Sequence, residues 1–183
     1  MKKTAKVCVW LFGHRETTQL ETARALGVSL CLVNYTVKIL ERMGAVKIGH
    51  RSLAVVDAES LLMYLANIRN TYKDVVYKTR VASPVTEIER SMPPGTTFAA
   101  YSGYRSRYRE VPADYSEVYV YADESALEEI KGRFPPKAGP ENLFVLKREF
   151  NDVPDALLFA DLWNLREWYA KEFVRELRGR ILG

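Results

Sequence analysis

Proline is confined to one part of this chain, and that restricts how the rest can fold. All eight prolines of the 183 residues lie at or after Pro84. Proline removes a backbone donor and disfavours a helical conformation in the residue before it. The proline-free stretch therefore suits continuous helices joined by tight turns. We place a junction at about Asn70 to Val76 and predict two domains, residues 1–73 and 74–183.

The basic charge lies in the first of these parts. From Met1 to Val75 there are 11 Lys and Arg against 6 Asp and Glu, whereas the remainder has 16 against 17. This asymmetry predicts a polyanionic partner for the N-terminal part alone. A basic surface that only contacts solvent is the alternative.

The N-terminal part predicts helices at about Lys3 to Gly13, Thr18 to Leu26 and Ser29 to Met43. We expect Val7, Trp10 and Leu11 to face inward on the first helix, and Leu20, Ala23 and Leu26 on the second. Gly27 is suited to the left-handed conformation that ends a helix, and Ser29 is a natural N-cap. On the third helix Val33, Val37 and Leu40 have the spacing of a buried stripe.

Two short β-prone runs follow within Ala45 to Val56, around the turn sequence Gly49 to Ser52. A fourth helix is predicted from about Ala58 to Asn70. A helix, a glycine turn, a longer helix and a hairpin in this order predict a winged helix-turn-helix over Thr17 to Val56.

A winged helix-turn-helix usually docks on double-stranded DNA, with its second helix in the major groove and its hairpin against the backbone or the minor groove. Asn34 is suited to an adenine edge, while Lys38 and Tyr35 are suited to phosphates. The predicted DNA-facing residues are Ser29, Leu30, Asn34, Tyr35, Lys38, His50 and Arg51.

The start of the third helix supports an alternative. Leu30, Cys31 and Leu32 are apolar where a DNA reader usually offers polar or basic residues. In this alternative, the protein is an interaction adaptor whose winged helix binds a protein partner and not DNA.

Strands and helices alternate in the C-terminal part. We expect strands near Val75 to Ala82, Thr96 to Ser102, Glu117 to Ala122 and Asn142 to Lys147, and helices after Pro84, at Ser125 to Lys131 and from Pro154 to about Gly179. The predicted fold class is α+β: an N-terminal winged helix-turn-helix followed by a small α/β domain with a helical C-terminal end.

Two segments of this part have two interpretations each. In Tyr101 to Arg109 three tyrosines alternate with arginines. This pattern suits base stacking with phosphate contacts. The interpretation we favour is that the tyrosines lie in the core and are covered by arginine stems, which pair with Glu110, Asp114 and Glu117.

Asp161 to Phe173 predicts a packed helical pair. Its sharper interpretation is an interface anchored by Trp163, Trp168 and Phe173.

The sequence offers little for catalysis or metal binding. Cys8 and Cys31 form no CxxC and predict reduced thiols, and His14 and His50 lie at no metal-site spacing. A nuclease-like set can be drawn from Asp114, Glu129 and Lys131, but two of these lie on a predicted surface helix. We expect no enzyme activity, no cofactor, no metal and no membrane span, and a cytoplasmic location.

Several phrases, together with the order of the elements, resemble the antitoxins of the abortive-infection type IV toxin–antitoxin systems over nearly the whole chain. They are Phe98 to Tyr104 (FAAYSGY), Val118 to Asp123 (VYVYAD), Ala160 to Leu165 (ADLWNL) and Trp168 to Phe173 (WYAKEF). The resemblance implies a transcriptional repressor of its own operon that binds operator repeats as a homodimer or cooperatively. It also implies a C-terminal domain that neutralises a nucleotidyltransferase-type toxin.

Overall fold

The computed structural model describes residues 1–183 and separates them into two compact units. The first comprises Met1–Asn70 with Leu182–Gly183, and the second comprises Thr71–Ile181. Helices hold 51% of the residues and strands 15%, in nine helices and two sheets, so the protein is mixed α+β. No helix combines the length and the apolar character that crossing a bilayer requires.

The N-terminal unit is mainly helical. Its elements are α1 (Lys3–Gly13), β1 (Glu16–Thr17), α2 (Gln19–Leu26), α3 (Leu30–Arg42), β2 (Val46–Ile48), β3 (Leu53–Val55) and α4 (Ala58–Ile68). The three short strands form an antiparallel sheet in the order β1-β3-β2. The hairpin is confirmed, while β1 was not expected, because two residues are too few to give a strand pattern.

Local capping chemistry determines where these helices begin and end. Thr18 and Glu21 form a reciprocal capping box at the start of α2, and Gly27 ends that helix in the left-handed conformation with φ of 59°. The Ser29 hydroxyl then accepts from the backbone N–H of Leu32. The predicted turn and cap are therefore confirmed.

The core of the N-terminal unit lies where α1, α3 and α4 meet. Its fully buried side chains include Val7, Leu11, Val33, Val37, Leu40, Leu61 and Leu65. This confirms the predicted stripe on α3. The prediction for α2 was wrong at Leu20, which is 47% exposed. The small side chains of Thr22 and Ala23 bring α2 close to its neighbours instead.

The C-terminal unit has a four-stranded sheet in the order β4-β7-β6-β5. The strands are β4 (Val75–Thr79), β5 (Thr96–Ala99), β6 (Val118–Ala122) and β7 (Leu143–Lys147). The helices are α5 (Val85–Arg90), α6 (Ala100–Tyr108), α7 (Glu124–Arg133), α8 (Asp155–Trp163) and α9 (Ala170–Leu182), and a 3-10 turn covers Thr71–Asp74. Strands β6 and β7 are parallel because α7 crosses over between them.

Helices cover the sheet on both faces, so every residue of β6 is buried. Val118 and Val120 pack with Ile88 of α5 and Ile130 of α7. On the opposite face lie the tyrosines of β6, and Tyr119 contacts Tyr101 of α6 edge to face. The unit is therefore a three-layer arrangement, with helices on either side of the sheet.

The strand predicted for Thr96 to Ser102 is wrong in its second half. The chain leaves β5 at Ala99 and enters α6 at once, with Ala100 at φ of 47°. Gly103 permits this close return, since a Cβ there would lie 2.8 Å from the carbonyl oxygen of Phe98. Tyr101 and Ser102 are consequently helical.

Candidate nucleic-acid interface

Helix α3 of the N-terminal unit has two opposite faces. Val33, Val37 and Leu40 are fully buried, and they fix the orientation of the helix. On the other side an exposed stripe recurs at i, i+4, i+7 and i+11, formed by Cys31, Tyr35, Lys38 and Arg42. At 1.5 Å per residue this stripe is about 16 Å long. We call it the α3 stripe.

The first turn of α3 carries Ser29 and Leu30. The Ser29 oxygen is engaged as the helix cap, at 3.3 Å from the Leu32 nitrogen, but its own hydroxyl hydrogen remains available to an acceptor. Leu30 is about half exposed. An apolar side chain at this position offers contact area, such as a thymine methyl needs, and no hydrogen bond.

Asn34 is half-buried, beside the α3 stripe and not on it. Its Nδ2 donates to Oε1 of Gln19 on α2, over 3.1 Å. The amide therefore joins the two helices, and only its remaining donor and its oxygen can bind a base or a phosphate.

The hairpin tip, residues 49–52, exposes His50 and Arg51. The turn is closed by the Gly49 N–H, which donates to the Ser52 carbonyl over 2.8 Å. A Cβ at position 49 would closely approach only the Ser52 hydroxyl, which is the movable end of a side chain. The Gly49–Ser52 bond closes the turn, and both predicted side chains are exposed.

The cations of this surface have no acidic partners. The side chains of Lys38 and Arg51 are exposed and take part in no ion pair or hydrogen bond. The same holds for Arg42 on α3 and Lys47 on β2, which the sequence interpretation missed. A spacing of four residues after Lys38 could have indicated Arg42.

The arginines of the C-terminal unit contrast with this pattern, because most of them are paired. Arg105 contacts Glu89, Arg107 contacts Asp152 and Asp155, Arg133 contacts Glu129, Arg148 contacts Asp123, and Arg180 contacts Glu110 and Glu176. The unpaired cations of this surface, Lys38, Arg42, Lys47 and Arg51, thus lie on α3 and the β2–β3 hairpin.

Of the three residues predicted as interface anchors, one is placed differently. Phe173 is completely buried, and its ring packs on Tyr101 and Tyr104 at centroid distances of 4.9 and 5.3 Å. It is a core residue and not an interface anchor, because a partner cannot reach it. Trp163 and Trp168 are 49% and 76% exposed, so their side chains remain accessible.

The tyrosines and arginines of 101–109 separate by environment. Tyr101 and Tyr104 are fully buried, as expected for core residues. The arginines do not take the expected partners Glu110, Asp114 and Glu117. Arg105 instead pairs with Glu89, which lies 16 residues earlier.

Carboxylates accompany the buried tyrosines. Tyr101 donates to Glu167 over 3.0 Å, and Tyr121 donates to the fully buried Asp161 over 2.5 Å. Burial, and then the Glu167 charge, raises the pKa of both Tyr101 and Tyr119 well above the ordinary value for a phenol. These contacts satisfy the hydroxyl groups of Tyr101 and Tyr121 inside the unit.

Comparisons of the chain with protein-family models, with curated proteins and with solved structures give no match. The assignment of function therefore depends on the residues themselves and on their placement.

Proposed function

We propose that the chain is a DNA-binding transcriptional regulator of the winged helix-turn-helix type. In this proposal α2 and α3 form the helix-turn-helix, α3 enters the major groove, and the β2–β3 hairpin is the wing. Residues 1–73 act as the DNA-binding domain and residues 74–183 as the α/β domain.

The observation that carries the proposal is the set of unpaired cations, Lys38, Arg42, Lys47 and Arg51. A cation that already pairs with a carboxylate gains little from a phosphate, whereas an unpaired cation releases condensed counterions from DNA on contact. Four such contacts are enough for measurable, salt-dependent binding to a duplex of any sequence.

Recognition of the DNA base sequence depends on fewer groups. Tyr35 and Lys38 lie on the α3 stripe and contact phosphates or base edges, while Leu30 and Cys31 offer contact to thymine methyls. Asn34 contributes through its free oxygen and second amide hydrogen. Ser29 and His50 add contacts to the sugar–phosphate backbone.

The antitoxin role rests on the resemblance to the type IV antitoxins. In that role the protein is cytoplasmic, represses its own operon as a homodimer or a cooperative assembly, and neutralises a nucleotidyltransferase-type toxin through its C-terminal part. The exposed Trp163 and Trp168 are the side chains we assign to that contact. Co-expression of this protein with a nucleotidyltransferase-type toxin encoded by the gene next to its own should restore the growth that the toxin arrests. Continued arrest would contradict this role.

The test of DNA binding is the affinity for a random-sequence duplex, measured by fluorescence anisotropy as the salt concentration rises. With four phosphate contacts the plot of log affinity against log salt should have a slope of about −3.5. A slope near zero, or no binding at low salt, would contradict the proposal.

A protein-interaction adaptor is the second candidate, favoured by the exposed apolar side chains of Leu20, Leu30 and Tyr35 in the N-terminal unit. An adaptor should show little duplex affinity even at low salt. The same titration therefore separates the two functions.

A further inference from the structure

A groove in the C-terminal unit lies between α5 and α6 and has a volume of about 400 Å³. Helix α6 and its C-cap contribute Ser102, Arg105, Ser106 and Arg109 to its lining, and α5 contributes Glu89 and Arg90. Clefts of this size accommodate small molecules. We refer to it as the α5–α6 groove.

The residues from α6 lie on one face of the helix. Ser102, Ser106 and Arg109 follow one another at i, i+4 and i+7, so they line the groove along its length. The residues Ala100 and Arg109, at the two ends of α6, are the two non-glycine residues of the chain with positive φ, at 47° and 65°. At Arg109, the C-cap, this uncommon backbone conformation ends the helix and determines the direction of the arginine side chain.

Ser102 is a buried hydroxyl without a partner. The residue is 2% exposed, and its Oγ makes no hydrogen bond. The buried hydroxyls of Thr22 and Thr36, by contrast, donate to the carbonyls of Thr18 and Leu32, each over 2.9 Å. A buried hydroxyl left unpaired is costly, and Ser102 belongs to the lining of the groove.

The charges on the groove walls favour an anion. The side chains of Arg90 and Arg109 take part in no ion pair or hydrogen bond. Glu89 is the acidic residue of the lining, and its carboxylate is already engaged by Arg105 at 3.0 Å and by Tyr115 at 2.7 Å. It therefore fixes the Arg105 guanidinium, whose other N–H groups remain available.

The opposite side of helix α6 carries no unpaired positive charge. There Arg107 contacts Asp152 and Asp155 and donates to the Val153 carbonyl over 2.7 Å. Its charge is neutralised within the protein. Excess positive charge on α6 is thus confined to the face that carries Ser102.

We propose that the α5–α6 groove binds the phosphate group of a small phosphorylated ligand. Arg90 and Arg109 contact the phosphate oxygens from the two walls, Arg105 adds a guanidinium oriented by Glu89, and Ser102 and Ser106 supply hydroxyl donors. Arginine suits this task because its planar fork matches the geometry of phosphate oxygens. The proposal does not depend on DNA binding, because none of these residues belongs to the N-terminal unit.

The test is isothermal titration of the full chain with three probes: inorganic phosphate, adenosine 5′-monophosphate and adenosine. We expect both phosphate-bearing probes to bind with one-to-one saturation and adenosine not to bind. Tighter binding of the nucleotide would show that the organic part also occupies the groove, and equal affinity would show that phosphate alone is recognised. Both results support a phosphate site.

Variants locate the binding. The exposed double variant Arg90→Gln with Arg109→Gln should weaken phosphate binding at least about tenfold, and Ser102→Ala should weaken it without unfolding the protein. Arg175→Gln, on the exposed face of α9, is the control and should bind as the wild type does. Lys38→Ala with Arg51→Ala should also leave phosphate binding unchanged, which separates this site from the DNA surface.

Absence of binding by both phosphate-bearing probes would overturn the proposal. Adenosine binding as tightly as its monophosphate would do the same, and so would wild-type affinity in the Arg90→Gln and Arg109→Gln double variant.

Discussion

Asn34 on α3 donates its amide hydrogen to Oε1 of Gln19 on α2 over 3.1 Å. The bond joins the two helices that flank the Gly27 turn, and it lies next to the exposed stripe on α3. The angle between α2 and α3 therefore depends on a polar contact at the surface as well as on the apolar seam beneath it.

The contact predicts coupling between Gln19 and Asn34. Each alanine variant should lower the free energy of unfolding by about 1 kcal/mol, and the double variant should lower it by less than the sum, with a coupling of about 0.5–1 kcal/mol. Urea unfolding of the four proteins measures this. Additive effects would mean that the amide contact contributes nothing to the pairing of the helices.

The two cysteines should differ in reactivity. Cys31 is exposed on the α3 stripe, whereas Cys8 is buried, and burial raises the pKa of its thiol to about 12. N-ethylmaleimide near neutral pH should therefore modify one thiol of the folded protein, at Cys31, and both after denaturation. The adduct should remove most of the duplex affinity, because it projects from the surface assigned to DNA.

A Cys31→Ser variant is the control for this experiment. It should bind the duplex and be insensitive to the reagent. Full affinity of the wild-type adduct would place the DNA on another face of the unit.

Gly103 and Gly132 should respond in opposite ways to alanine. A Cβ at Gly103 would lie 2.8 Å from the Phe98 carbonyl oxygen and 3.1 Å from Cδ1 of Leu158, so Gly103→Ala should destabilise the protein by about 1–3 kcal/mol. A Cβ at Gly132 on α7 meets no atom within 4 Å, and Gly132→Ala should stabilise by about 0.5–1 kcal/mol. Thermal unfolding compares the two. A harmless Gly103→Ala would contradict the close approach of β5 and α6.

Alkaline pH should unfold the C-terminal unit cooperatively. Burial raises the pKa of Tyr101 and Tyr119, and burial with the Glu117 contact raises that of Tyr169 to about 12. In the unfolded chain these phenols ionise near pH 10, so the unfolded state loses protons that the folded state keeps. The contribution of these phenols to the free energy of unfolding is thus fully present below about pH 10 and decreases above it.

Absorbance at 295 nm, followed together with far-UV circular dichroism, measures this transition. Phenolate should appear in one step that coincides with the loss of helical signal. Smooth ionisation of all eleven tyrosines with an intact helical signal would show that these tyrosines are not buried as described.

Features set by neighbouring residues were predictable from the sequence. The stripe of Val33, Val37 and Leu40, the left-handed Gly27 and the Ser29 cap depend on chemistry within one or two turns, and the structure has all three. The unpaired state of Lys38 was not predictable, because pairing depends on which carboxylates the fold brings near.

Features set by distant contacts were missed or misplaced. Phe173 is an aromatic residue on an amphipathic helix, a pattern that fits an interface as well as a core, and only the packing against Tyr101 and Tyr104 decides between them. The β-prone residues 96–102 suggested a strand, but the tight return at Gly103 makes the second half helical. Arg105 pairs with Glu89 and not with an acidic residue nearer in the sequence, because the fold brings α5 beside α6.

The most direct test of the DNA-binding account is the salt dependence of duplex affinity for Lys38→Ala combined with Arg51→Ala. A control variant, Lys137→Ala with Lys171→Ala, removes the same charge from exposed positions of the C-terminal unit. If each of the two cations contacts one phosphate, the first variant should bind more weakly and lose about 2 from the magnitude of the salt slope, while the control keeps the wild-type slope. A wild-type slope in the Lys38 and Arg51 variant, with the fold intact, would contradict the account.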